Sequence, residues 1–285
     1  MKTSRTYLRT KAALMFVVAA ALVMPGRGAE AGQAGTEWYE VTGVAELGFL
    51  APLAHSVQFG KDGSYFDYVE DGAQDTLFFV GRLSLELELF KRHTLILLYQ
   101  PLELATSEYL LEDLVVDGER FVAGTPMQFK YGFPFYRLSY LYDLVESDGL
   151  EVAVGGSLQI RNATIDFRSA DGRQLRSNRG VGPVPALKFR ATYHWESGFF
   201  VGTELDGMYA PVSYLNGDDN NVEGAILDAS VRAGLRLNDS IDVWLNLRYL
   251  GGGAQGDSDD DERGDGFTKN WLHFMTTTVG FSYTM

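Results

Sequence analysis

The stretch TVGFSYTM (residues 278–285) ends the sequence. Val279, Phe281 and Tyr283 share one parity, and Thr278, Gly280 and Ser282 share the other. Strict alternation is the mark of a strand with one apolar face, because successive side chains of a strand point to opposite sides. No turn residue, helix cap or polar tail follows it. A strand of this kind is expected to have its edge covered by another strand, since an open edge invites foreign pairing.

The opposite end has a different grammar. Lys2, Arg5, Arg9 and Lys11 precede the apolar run AALMFVVAAALV (residues 12–23). Pro25, Gly26 and the small residues Ala29 and Ala31 follow. This is the layout of a secretory signal peptide, with cleavage expected after Ala31. The run is too short for a spanning helix. Two segments are therefore expected: a signal peptide at 1–31 and one domain at 32–285. Removing the basic residues Lys2, Arg5, Arg9, Lys11 and Arg27 and the acid Glu30 leaves 19 basic and 37 acidic residues, a net charge of −18. So acidic a chain does not suit nucleic acid, which demands cations against phosphate. Cysteine is absent, which rules out disulfide and thiolate chemistry.

Ten segments between these ends alternate with period two: 39–50, 76–90, 94–104, 127–145, 150–167, 185–195, 199–212, 222–237, 241–250 and 271–284. The connections also alternate. FKRH (90–93), ESDG (146–149), ESG (196–198) and NDS (238–240) are tight turns. Longer polar segments, 55–75, 105–126, 168–184, 213–221 and 251–270, lie between them. The predicted fold is all-β: a transmembrane antiparallel up-and-down β-barrel of about ten strands, within a range of roughly 8–12. An even strand number places both termini at the tight-turn end.

In SLELELF, Leu83, Leu85, Leu87 and Leu89 oppose Ser84, Glu86 and Glu88. In ILDASVRAGLRL, Leu227, Val231, Leu235 and Leu237 oppose Asp228, Ser230, Arg232 and Arg236. Periodicity does not say which face meets lipid. Aromatic residues near strand ends (Trp38, Tyr39, Tyr136, Tyr140, Tyr142, Tyr193, Trp195, Phe199, Phe281 and Tyr283) favour a membrane band flanked by aromatic girdles. The polar faces carry both signs, and enclosed charges must be paired or hydrated. A barrel-interior charge network is expected from Glu86, Glu88, Arg137, Glu151, Arg161, Lys188, Arg190, Glu204, Asp228, Arg232, Arg236 and Arg248. Glu46, Arg82, Asp206 and Asp242 share the same faces.

The C-terminal pattern polar-x-Gly-x-x-aromatic-x-aromatic resembles the assembly signal of bacterial outer-membrane barrels. Thr278, Gly280 and Tyr283 fit it, and Met285 puts an apolar residue where an aromatic one is usual. KRHTLILLYQPLEL (91–104), VDGERFVAGTP (116–126), FYRLSYLYDL (135–144) and GSLQIRNATIDF (156–167) resemble a group of outer-membrane barrels described only as hypothetical. The resemblance covers under half the chain and implies the architecture, the cell outer membrane as location, and outer-membrane lipid, lipopolysaccharide and the barrel assembly machinery as partners. It implies no activity.

Ten strands is also a resemblance to outer-membrane proteases of the omptin type, whose sites pair acids with an Asp–His couple at the outer rim. His93 and His194 sit beside tight turns, at the wrong end. His55 falls in the first long loop. His273 lies near the outer end of the last strand, on the parity of Val279 and Phe281, and needs a bulge to turn inward. No Ser–His spacing suggests a nucleophile. In GDSDDDERGD (256–265), Asp257, Asp259 and Asp261 copy the opening ligand spacing of a calcium loop, but Glu262 stands where that loop needs Gly. A solvated acidic loop is the expectation there, with loose divalent bridging to lipopolysaccharide as the alternative; the arginine-rich segment 168–184, with Arg168, Arg173, Arg176 and Arg179, is open between a solvated loop and contact with lipopolysaccharide phosphates. Ten strands lie near the size that side chains fill. The expected function is that of a non-enzymatic surface, structural or binding barrel without cofactor or metal. A narrow channel for small solutes is the alternative, and a rim hydrolase ranks third.

Overall fold

The computed structural model describes residues 38–147, 149–211, 223–257 and 265–285. The expected signal peptide and the centre of the acidic loop lie outside the described residues. Fifteen strands and no helix occur among them: β1 (Tyr39–Phe59), β2 (Phe66–Asp67), β3 (Phe78–Leu89), β4 (His93–Gln100), β5 (Glu103–Tyr109), β6 (Leu114–Val116), β7 (Glu119–Phe121), β8 (Pro126–Gly132), β9 (Phe135–Ser147), β10 (Leu150–Ser169), β11 (Leu175–His194), β12 (Phe199–Pro211), β13 (Glu223–Asn238), β14 (Ile241–Asp257) and β15 (Phe267–Thr284).

Pairing runs antiparallel through β1, β3, β4, β9, β10, β11, β12, β13, β14 and β15, and β15 returns to β1. The result is a barrel of ten staves, closed at the tight-turn end; beyond it β5 pairs only with β8, and β1 past Leu50 pairs with β15 and β2. Two staves are broken. β4 continues as β5 beyond Pro101, and β8 continues as β9 beyond Pro134. Proline has no N–H to give the ladder. Both breaks occur at the same level of neighbouring staves, so each absorbs the other's irregularity.

The staves reach further than the alternating segments foretold. β1 runs nine residues past Leu50, β11 begins at Leu175 and β14 ends at Asp257. The segment 168–184 is therefore a correction: it is a strand hairpin turning at residues 170–174 rather than a long loop. The reason is that backbone pairing must continue wherever two staves stay side by side, whatever their side chains. Gly- and Ser-rich sequence hides that continuation.

At the tight-turn end the apolar parity faces outward. Leu47, Leu85, Leu97, Leu138, Leu187 and Leu245 are exposed on the outer surface, Leu187 at 79%. Exposed Trp38, Tyr39, Phe90, Tyr193, Trp195 and Phe199 ring the turn end, and Phe49, Phe79 and Tyr136 ring the other limit. From Tyr39 to Phe49, at about 3.3 Å per residue and a tilt of ~45°, the band is roughly 23 Å tall. That height matches the hydrocarbon belt of an outer-membrane barrel.

Beyond that band the sense inverts. On β5 and β8 the inward residues Leu104, Phe129 and Tyr131 are buried, while Glu103 and Lys130 form an outer ion pair at 2.8 Å. The barrel thus has a lower storey, polar inside and apolar outside, and an upper storey built like a water-soluble domain.

Candidate functional site

The lower lumen is crossed by ion pairs. Arg137 of β9 places Nη1 2.9 Å from Asp206 of β12 and 2.8 Å from Asp228 of β13. Its Nε and Nη2 donate to Gln159 Oε1 at 3.1 and 2.6 Å. Asp206 also accepts from Lys188 Nζ at 3.0 Å and from the Ser157 hydroxyl. Asp228 also accepts from Arg248 at 2.6 Å and Arg82 at 3.4 Å. Glu204 lies 3.7 Å from Lys188 and 3.9 Å from Arg232. Nearer the turn end, Arg190 bridges Glu86 at 2.7 Å and Glu151 at 3.1 Å. Arg248 approaches Glu46 at 4.0 Å, and Glu46 accepts from Trp244 Nε1 at 3.1 Å. Six cations meet six carboxylates in these contacts, so the layer is close to neutral. Burial of so many charges is tolerated only when each finds partners.

Three residues expected in the network stand elsewhere. Glu88 faces inward near the turn end and makes no ion pair among the described residues, and Arg236 pairs with Asp242 at 3.4 Å at the rim. Arg161 faces inward higher up, with its guanidinium 5.3 Å over the Phe133 ring. The space left inside the ionic layer is about 30 Å³. That is room for a water or two.

The upper lumen is filled by apolar side chains. Register slips at Leu53 of β1, between Pro52 and Ala54, where two residues oppose one on β15. Such a bulge reverses the parity beyond it. Before it Glu46 and Leu50 point inward, and after it His55, Val57 and Phe59 do. The connection 60–77 then folds back inside. β2 pairs with β1, and an Asx turn closed by Asp67 Oδ1 on the Val69 and Glu70 amides redirects the chain. Phe66, Tyr68 and Gln74 are buried as a result. Phe66 and Tyr68 join Phe59, Phe129, Tyr131, Phe167 and Phe274 in one apolar core. The β6–β7 hairpin covers it with Leu114, Val116 and Phe121. Its turn residues Asp117 and Gly118 both have positive φ (47° and 76°), as a two-residue hairpin turn requires. The long connections show no fold-in signature in the sequence: apolar residues scattered through polar sequence carry no periodicity, yet together they find a common interior.

His55, expected in a loop, is fully buried on β1. Its Nδ1 lies 2.8 Å from Gln74 Oε1 and its ring stacks on Tyr68 at 4.4 Å. His273 sits on the neighbouring β15, faces outward and meets the Tyr249 hydroxyl. The two histidines occupy opposite faces of the wall. At the rim, Asp257 pairs with Lys61 at 3.0 Å, and Asp265 accepts from the Lys61 amide at 2.7 Å. That amide, with the Phe267 amide, holds the Asp265 carboxyl below its usual range. Among the described residues no group of His, Cys, Asp or Glu is spaced to hold a metal. Asp259 and Asp261 lie outside them.

The assembly-signal residues divide by parity. Thr278 and Gly280 face the lumen; Tyr283 and Met285 are exposed outside. Gly280 and Gly234 flank Trp244 in register on both sides, and a Cβ at Gly280 would meet the indole at 2.1 Å. Glycine there makes room for a ring.

No family profile matches the chain, and no curated protein does. Solved structures similar in fold are all bacterial outer-membrane barrels. The outer-membrane protease OmpT of Escherichia coli is 11% identical over 86% of this chain and 97% of that one, with a TM-score of 0.48. The transport unit of the E. coli autotransporter AIDA-I is 10% identical over 95% and 96%, with a TM-score of 0.42. The attachment invasion locus protein Ail of Yersinia pestis is 11% identical over 86% and 99%, with a TM-score of 0.35. Likeness at this level concerns architecture alone, since one barrel fold serves many activities.

Proposed function

We propose that this chain is an integral protein of the bacterial outer membrane, exported by its N-terminal segment and closed to solute flow, that acts through its raised outer storey as a non-enzymatic binding or structural barrel. The observation that carries this reading is a lumen crossed by a near-neutral ionic layer that leaves about 30 Å³ free, with an aromatic core narrowing it above. Outer-membrane lipid and lipopolysaccharide would surround the apolar band, and the barrel assembly machinery would engage the terminal strand. Against a rim hydrolase stands His55, enclosed by Tyr68, Tyr131 and Phe274 and bonded to an amide oxygen rather than a carboxylate. A general base needs access to its substrate's proton.

The test is conductance in planar bilayers of the mature barrel, after its heat-modifiable migration has established folding. The expected record shows no unitary steps. Stable openings in 1 M salt would overturn the reading in favour of a narrow channel.

A further inference from the structure

A chamber of about 270 Å³ lies in the upper storey, between the aromatic core and the opposite wall. Phe133 bounds it on the core side; Ile226 and Leu250 line it opposite. Two observations distinguish it from loose packing. The first is its glycine wall. Gly180 and Gly182 of β11 both line it, neither has a positive φ, and a Cβ built on either meets nothing within 4 Å. The backbone does not demand glycine there. Gly180 is exposed and marks the side on which the chamber opens to solvent, whereas a larger residue at part-buried Gly182 would intrude on it.

The second is Arg161, which lines the same chamber from β10. Arg82, Arg137, Lys188, Arg190, Arg232 and Arg248 each face a carboxylate in the lumen. Arg161 has no ion pair among the described residues; its guanidinium lies 5.3 Å over the face of Phe133. A part-buried guanidinium beside apolar walls has no carboxylate to offset the water it has lost. Its planar fork is suited to a carboxylate. Tyr131 and Asn270, joined at 3.2 Å, add hydrogen-bonding surface to the same space.

We propose that this chamber binds a small amphipathic anion, a monocarboxylate whose charged head sits on Arg161 and whose apolar body lies along the glycine wall. The proposal deepens the reading of a closed binding barrel and takes it as its starting point. Since a dry cavity of ~150 Å³ accepts benzene, this one suits a body of roughly ten non-hydrogen atoms. A mostly apolar cavity with few convergent polar groups is the usual form of a small-molecule site.

Octanoate and its neutral counterpart octanamide are the probes, titrated calorimetrically at neutral pH into the barrel held in phosphatidylcholine nanodiscs. Octanoate is expected to bind saturably, about tenfold or more tighter than octanamide, as a charge-assisted hydrogen bond implies. Arg161→Gln should erase that preference and leave octanamide unchanged. Gly182→Phe, which places a ring in open space, should abolish both. Heat-modifiable migration of each variant establishes that it is folded. Equal binding of the two probes, a preference that survives Arg161→Gln, binding that survives Gly182→Phe, or no saturable binding at all would overturn the proposal. A barrel that conducts yet prefers octanoate through Arg161 would remove the closed-lumen reading alone. A closed barrel indifferent to octanoate would remove the chamber alone.

Discussion

Arg137 reaches across the lumen from β9 and is shared by Asp206 and Asp228, both 1% exposed. Removing it leaves each carboxylate one cation or more, Lys188 for Asp206 and Arg82 with Arg248 for Asp228. The loss should therefore fall at the low end for a broken buried pair. Arg137→Ala is expected to destabilise the barrel by about 3 kcal/mol. A urea titration of the micelle-folded protein reads this as a lower midpoint, and an unchanged midpoint would show that the remaining cations suffice. The charge set could be read from strand parity. Who pairs with whom could not, because β9 and β13 meet across the lumen and not along the chain. Gly280 teaches the same lesson. Its place in the terminal pattern was legible, but its reason, the Trp244 indole lying over it, depends on the register of β14 against β15.

The β6–β7 hairpin is an element that propensity alone does not hold in place. Two strands of three residues each are too short to stand by themselves. Its approach is fixed by Asp113, whose carboxylate accepts the Ala123 amide at 2.7 Å and pairs with Arg120. The Ala123 bond first, and Arg120 next, hold the Asp113 carboxyl below its ordinary value. A depressed carboxyl stabilises the folded form above the unfolded value, near 3.9, and loses that contribution as pH falls through the lower folded value. An NMR titration should therefore place the Asp113 midpoint below 3.9, with the Ala123 amide shift following it. A midpoint at or above the ordinary value would mean the contact is not populated in solution. β1 makes the other point at this scale. Its alternation in 39–50 predicted a strand, and the bulge at Leu53 that turns His55, Val57 and Phe59 inward left no mark in the pattern. A bulge is a choice between registers, and both neighbours take part in it.

At the scale of the whole molecule the aromatic core stands above the ionic layer, and the ionic layer alone should block the lumen. Replacing residues 64–74 with a short Gly–Ser turn removes Phe66, Tyr68 and Gln74 from the upper core and leaves the ionic layer intact. The variant is expected to unfold at lower temperature, since two buried aromatic side chains, Phe66 and Tyr68, are lost, each worth about 2 kcal/mol of burial. It should still show no conductance. Openings in this variant would place the barrier in the upper storey and demote the ionic layer to a lining.

The sequence by itself determined the class of fold. Period-two alternation, tight turns at one end only and an alternating final segment are local properties, and a closed antiparallel barrel is the arrangement that satisfies all of them at once. The candidate charges were legible for the same reason, since parity assigns a face to every strand residue. Only the tertiary structure decided which face is the lumen, how far the staves extend, and that the lumen changes from ionic to apolar partway up. It also brought Arg161, Gly180 and Gly182 to one chamber. Those outcomes depend on closure: the curvature of the wall sets which distant side chains meet, and that distance is not encoded in any single stretch of the chain.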